Sequence, residues 1–288
     1  MLPLTIRNRT IASEDLFYIQ NLVNEYWHLG RTHISRILCQ RWNWFQPNGQ
    51  LKDMACRELM LTLERSGHLK LPPALTGAHN DKRNRTLPSV LVDQSPMEGS
   101  LADYGPVTMT MVRNTPLESL YNSLVHQYHY LGYRQIVGQH LKYMAFLDDR
   151  PVSCIGWGSA AWAVKSRDTF IGWNKSTKEK NISFVVNNTR FLILAWVNIK
   201  CLASKILAMN ARRISEDWTA IYQQPVYLLE TFVEKDRFLG TCYRAAGWRR
   251  VGQTKGTAKR GHDHLRHGNI KDVYLYPLRK DFREKLKR

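Results

Sequence analysis

Apolar residues recur at helical spacing over Leu16, Ile19, Leu22, Val23, Tyr26 and Trp27, which predicts an amphipathic helix. Ser13 is placed as its N-cap, Glu14 and Asp15 complement the first turn, and Gly30 is placed as its end. A second helix, capped by Thr32, turns Ile34, Ile37 and Leu38 inward. A third, from about Gln50 to Ser66, carries Leu51, Met54, Ala55, Leu59 and Leu63 on its apolar side. His68–Pro73 then reads as a short strand stopped by two prolines. Three helices followed by a strand is the plan of a winged helix-turn-helix over residues 1–75. On that plan Lys52 and Arg57 lie on the exposed face of the third helix, and Arg31, His33, Arg36 and Arg41 approach phosphates.

Residues 76–106 are polar and read as a linker. From Val107 the pattern changes. Leu117–Tyr130 is helical, and Leu141–Leu147 and Val152–Trp157 flank the turn Asp148-Asp149-Arg150-Pro151 as a hairpin. Arg167-Asp168 sits at a turn or helix start, and Asn187-Asn188-Thr189-Arg190 leads into a strand over Phe191–Val197. Leu202–Ile214 is a helix, Val226–Val233 a strand, Gly240–Ala246 a short helix, and Trp248 opens another strand. The order predicts an α/β (α+β) mixed-sheet domain over residues 107–288.

Charge adds a partner class. The 288 residues hold 42 lysines and arginines against 24 aspartates and glutamates, a net of +18. Arg249–Arg288 alone carries 13 basic and 4 acidic residues, a net of +9, and is the candidate electrostatic footprint. Residues 1–80 carry nine basic and six acidic residues. Double-stranded DNA is therefore the expected partner, and no membrane is expected because no apolar run of about 18 residues is present. The N-terminus lacks a signal-peptide core, and the five cysteines form no CxxC pair. A cytoplasmic protein is expected.

Chemistry is less legible. Phosphate-loop, dinucleotide, zincin and hydrolase-elbow motifs are missing. Glu230 is a lone carboxylate inside an apolar strand and needs a partner or a task. Glu230, Asp168, Tyr243 and Arg237 are the candidate catalytic residues. Asp168, Glu230, Glu234 and Asp236 could hold Mg²⁺ if they converge, and Glu230 paired with Arg237 or Arg244 is the equally good structural alternative. Asn187, Asn188 and Arg190 either bind phosphate or cap a turn. His126 and His129 read as packed side chains, and His262, His264 and His267 as a basic loop without metal. Arg190, Arg244, Lys255, Lys259 and Arg260 complete the candidate nucleic-acid-binding set.

Several long stretches carry a resemblance: HYLGYRQIVG (129–138), CIGWGSAAWAVKSRDTFIGW (154–173), VVNNTRFLILAWV (185–197), LLETFVEKDRFLGTCYRAAGWRRVGQTKG (228–256) and KDVYLYPL (271–278). Together they resemble the DruA family of Druantia anti-phage systems, whose members also occur near transposases and other mobile elements. The resemblance implies a DNA-binding component of a defence or mobile-element system, with other defence or transposition proteins as partners. It supplies no reaction. Phe191–Ile214 and Val226–Gly252 are more distantly similar to the core of GCN5-related N-acetyltransferases, with Tyr243, Gly247 and Trp248 matching its Tyr-x-x-x-Gly-aromatic ending. Acetyl-CoA binders of that family place a glycine-rich turn after the first strand, whereas Ala195–Ser204 has no glycine, so no cofactor is expected. The alternative is an enzyme acting on nucleic acid, either a metal-dependent nuclease or transposase component, or an acyl or aminoacyl transferase.

Overall fold

The computed structural model describes residues 4–6, 9–46, 49–73, 90–260, 263–266 and 268–288. The chain divides into two units, Met1–Lys82 and Arg83–Arg288. In the first, strands β1 (Leu4–Ile6) and β2 (Arg9–Ile11) pair antiparallel ahead of helices α1 (Ser13–Glu25), α2 (Gly30–Arg41) and α3 (Asp53–Arg65). The helical periodicity does what its spacing requires: Ile19, Val23, Ile34, Leu38, Leu59 and Leu63 are buried together. The N-cap is Ala12 rather than Ser13, and the Asp15 carboxylate accepts from the Ala12 N–H at 3.0 Å. Gly30 begins α2 instead of closing α1, because a 3₁₀ turn over Trp27–Leu29 joins the two. Met54, expected inward, is 70% exposed, and Cys56 and Met60 take the inward positions.

The strand expected over His68–Pro73 does not form. Two prolines remove backbone donors there. Side chains satisfy what remains: Gln20 donates to the His68 carbonyl, Arg31 to the Pro72 carbonyl, and the Leu71 N–H donates to Glu64 at 2.8 Å. Three helices are present, but the wing read from this stretch is not.

The second unit contains β3 (Met97–Gly99), β4 (Thr108–Met111), α4 (Leu117–Tyr128), β5 (His140–Leu147), β6 (Arg150–Ser159), α5 (Lys165–Ile171) and α6 (Lys175–Asn181). It continues with β7 (Val185–Ile193), β8 (Val197–Ile199), α7 (Leu202–Tyr222), β9 (Leu228–Glu234) and α8 (Thr241–Ala245). Then come β10 (Arg249–Gln253), β11 (Thr257–Arg260), β12 (Asp263–Arg266), β13 (Lys271–Pro277) and α9 (Phe282–Lys287). Seven strands form one mixed sheet in the order β10-β13-β9-β7-β6-β5-β4. Only β7 and β9 among these run parallel, joined by the long crossover helix α7. Within the stretch read as linker, Met97–Gly99 pairs with β8, and Met97 is buried.

Side-chain alternation assigns the layers. On β5, Lys142 bonds Glu118 of α4, while the next residue, Tyr143, bonds Asp217 of α7. Successive strand residues face opposite sides, so α4 and α7 cover opposite faces. The β5–β6 hairpin turns through Asp148 and Asp149, both at positive φ (46° and 62°), a conformation aspartate tolerates. The polar stretch Asn187–Arg190 lies inside β7 rather than at a strand mouth, and β7 ends at Ile193, short of the expected Val197.

Two glycines around α8 differ in a measurable way. Both Gly240 and Gly247 have positive φ. A Cβ at Gly240 would enter the Tyr274 phenol, whereas at Gly247 it would meet only Tyr276 Cε2, at 3.5 Å. Gly247→Ala is expected to cost about 1–2 kcal/mol, and Gly240→Ala at least about 1 kcal/mol more. Urea unfolding measures both, and equal costs would show that Tyr274 yields freely.

Candidate functional site

The parallel pairing of β7 and β9 is short. It runs from Val185↔Leu228 to Asn188↔Thr231 and stops, although β7 extends to Ile193 and β9 to Glu234. Beyond that point β7 stays with β6, and β9 stays with β13. A bulge marks the parting: Gly156 pairs with Arg190 and Trp157 with Asn188, which leaves Thr189 as the extra residue. The separating strands open a cleft of about 690 Å³.

Its floor is polar and ordered. The Tyr243 hydroxyl donates to Asn188 Oδ1 at 2.7 Å, and Asn188 Nδ2 donates to the Gly156 and Arg190 carbonyls, each at 3.0 Å. Tyr243 packs against the rings of Phe191, Trp248 and Tyr274. Burial pushes the Tyr243 phenol well up, so it stays protonated as a donor. Asn187 Oδ1 and Thr189 Oγ1 are shut from solvent and have no hydrogen-bond partner. Leaving such an atom unsatisfied costs about 1–3 kcal/mol.

The walls bring cations and rings. Arg190 donates to the Gly132 and Thr189 carbonyls, and burial holds its guanidinium below its ordinary value. Arg237 lies 4.8 Å over the Tyr130 ring, and Phe238 approaches that ring at 5.3 Å. His129 stacks on Tyr130 and accepts from the Leu131 N–H at its Nδ1. Burial, and then the nearby Arg190 charge, lower His129 to about 4, so its ring is neutral near pH 7.

Glu230 adjoins this cleft through Thr231 but does not open into it. It is fully buried, and its partner is Arg167 rather than Arg237 or Arg244. Glu230 Oε2 receives Arg167 Nη1 at 2.8 Å, and Oε1 receives the Ala161 N–H at 2.7 Å. Arg167, also fully buried, binds Asp168 Oδ1 with Nε and Nη2 at 2.9 and 2.7 Å and donates to the Ala161 carbonyl. Lys178 closes the chain on Asp168 Oδ2 at 3.1 Å. Desolvation pushes the Glu230 carboxyl up, and Arg167 and the Ala161 N–H pull against it. Asp168 and Glu230 are thus brought together, but around a guanidinium. Among the described residues, no three His, Cys, Asp or Glu side chains converge as metal ligands.

The remaining sequence candidates scatter. Arg244 is exposed on α8, and Lys255 is exposed just beyond β10. Lys259 and Arg260 fall on β11, with side chains outside the described part, as is that of His264 on β12; His262 and His267 lie outside the described residues. In the first unit, Arg31 pairs with Glu64 at 3.8 Å and Arg57 with Asp53 at 3.4 Å. His33 sits beside Tyr26, Arg41 lies over Tyr18, Arg36 is exposed, and Lys52 occupies the N-cap position of α3. The residues that sequence reasoning missed are Arg167 as the partner of Glu230 and the Tyr130–Phe238 rim. The adjacent Arg167-Asp168 pair was the available signal for the first; nothing local marked the second.

The model of the family of Druantia protein DruA matches residues 62–262, more than half of the chain. No curated protein matches. Among solved structures, the chain is similar to an N-acetyltransferase from Staphylococcus aureus Mu50, at 10% identity and a TM-score of 0.39, over 60% of this chain and 99% of that one. It is also similar to a GNAT family acetyltransferase from Elizabethkingia anophelis with acetyl-CoA bound, at 8% identity and a TM-score of 0.37, over 59% and 97%. A third is the ribosomal-protein-S18-alanine N-acetyltransferase from Escherichia coli, at 7% identity and a TM-score of 0.36, over 60% and 94%.

Arg167→Met leaves Glu230 and Asp168 facing each other without their shared cation, and is expected to cost about 3–5 kcal/mol. Adding Glu230→Leu should recover part of that loss. Urea midpoints read both, and a loss below about 1 kcal/mol in the single variant would remove the network as a structural clamp. The depressed His129 gives a second test. A histidine with a lowered folded value stabilises above its unfolded value of 6.5, and that contribution is lost as pH falls from 6.5 towards 4. The melting temperature of His129→Leu should fall less steeply over this window than that of the parent chain. Parallel curves would sink the assignment.

Proposed function

We propose that this chain, which belongs to the family of the Druantia protein DruA, is the DNA-binding component of an anti-phage defence or mobile-element system. The charge carries the reading. A net of +18 attracts a polyanion at long range, and half of the excess falls in Arg249–Arg288. Exposed Arg244, Arg249 and Lys255 line the α8–β10 end of the large sheet, together with Arg250, which pairs with Asp272 at 2.8 Å. Double-stranded DNA, a periodic row of phosphates, matches such an edge without base-specific contacts. The helical unit over residues 1–75 adds Arg36 and Arg41 as exposed phosphate contacts in a helix-turn-helix arrangement, and residues 107–288 serve as the main domain, joined by Met97–Gly99 of the stretch read as linker. Arg31 and Arg57 serve it less directly, because each holds a carboxylate of its own unit. Further defence or transposition proteins are the expected partners, and the cytoplasm the expected site of action. No described helix is long and apolar enough to cross a membrane.

The second reading is acyl or aminoacyl transfer onto nucleic acid. One observation favours it: the cleft between β7 and β9 opens onto a buried, protonated Tyr243 held by Asn188. The metal-dependent nuclease form lacks comparable support, since Asp168 and Glu230 are engaged by Arg167.

DNA affinity should fall steeply with salt, the logarithm of the binding constant changing by about 0.9 per phosphate contacted for each decade of salt. Arg249→Ala and Lys255→Ala should each reduce that slope by about one contact. Fluorescence anisotropy of a labelled duplex measures this, and no binding at low salt ends the reading.

A further inference from the structure

Two features of the β7/β9 cleft remain unexplained by duplex binding at a charged edge. First, Arg190, Arg237 and Lys271 line it with one carboxylate, Glu234, the cross-strand partner of Lys271, and none of the three is within ion-pair distance of a described carboxylate. Three cations against one carboxylate leave the cleft net positive, which points to an anionic ligand. Second, the mouth exposes flat and apolar surface. Tyr130 and Phe238 are 37% and 47% exposed, and Leu239 beside them is 80% exposed.

An inorganic anion would use the cations and leave the rings unused. An apolar ligand would use the rings alone. A nucleotide uses both: a π face for Tyr130 and Phe238 and a phosphate for the cations. Stacking on a ring is tolerant of sequence, because every base has a π face. A base inside a duplex does not offer that face, because stacking occupies it. The cleft volume of about 690 Å³ is ample for one nucleotide.

We propose that the β7/β9 cleft holds one unpaired nucleotide of a bound nucleic-acid strand, its base against Tyr130 and Phe238 and its phosphate on Arg190, Arg237 and Lys271. This rests on the nucleic-acid reading above and adds to it what the protein selects: a strand end, an overhang or an extruded base.

The test compares a blunt duplex with the same duplex carrying a single-nucleotide overhang of 2-aminopurine, whose fluorescence is quenched by stacking. The full chain should bind the overhang about 5- to 150-fold more tightly than the blunt end and quench its fluorescence. The double variant Tyr130→Ala/Phe238→Ala should lose both the preference and the quench while binding the blunt duplex as before. An unchanged melting temperature shows that this variant is folded, and single variants at each position serve if it is not. Equal affinity for the two duplexes overturns the cleft assignment and leaves the duplex reading standing. No binding to either at low salt overturns both. A third arm uses free adenosine monophosphate and coenzyme A. If they compete for a Tyr130-dependent site while the overhang gives no quench, the cleft takes a free nucleotide-bearing ligand, and the proposal fails.

Discussion

One buried cation ties α5 and the segment after β6 to the large sheet. Arg167 is on α5, Glu230 is near the middle of β9, and both are fully removed from water. A buried charge is tolerated only when its partners are complete. Here they are: Arg167 has two carboxylates and the Ala161 carbonyl, and each Glu230 oxygen has a donor. The same bonds pin the segment after β6, because Ala161 gives its N–H to Glu230 and its carbonyl to Arg167. The position of α5 against the sheet is therefore fixed by directional bonds as well as by apolar packing. A carboxylate in the middle of a strand looks like chemistry waiting to happen. In this fold it is the anchor for a neighbouring layer.

The cleft owes its place to the next residues along. Asn187 and Asn188 stand opposite Glu230 and Thr231 in the last paired rungs of β7 and β9. The bulge at Thr189 then bends β7 along β6, and β9 continues along β13. Backbone groups that leave the ladder at such a parting must find other partners. Asn188 supplies some of them by donating to the Gly156 and Arg190 carbonyls while accepting from Tyr243. The order of the site thus rests on a clamp on one face of β9 and a buried polar pair beside the bulge. Its cations and rings are left facing outward. That division suits a site that is stiff underneath and available above.

Much of the architecture was legible in the chain. Helical periodicity placed α1, α2, α3, α4 and α7, and alternation with the Asp148-Asp149 turn placed the β5–β6 hairpin. These signals are local, since period and turn chemistry depend on neighbours a few residues away. Failures came where partners distant in sequence decide. The apolar pattern of His68–Pro73 suggested a strand, but among the described residues no strand pairs with it, and side chains took backbone bonds at His68 and Leu71. Asn187–Arg190 read as a polar strand mouth, yet it lies within the central strand β7, where Asn187 and Asn188 pair with both β6 and β9, and Arg190 with β6 alone.

The candidate site divides in the same way. The chain by itself determined that Glu230 had to be engaged and that the net charge is large and positive. Those follow from residue type, burial tendency and composition. Only the tertiary structure decided that the partner of Glu230 is Arg167, 63 residues away, rather than the nearer Arg237 or Arg244. Only it set Arg190, Arg237 and Lys271 around one opening, with Tyr130 and Phe238 at its mouth. The physical reason is that contact across a sheet is fixed by strand order and register. Those emerge when the seven strands assemble together, and no stretch of the chain encodes them alone.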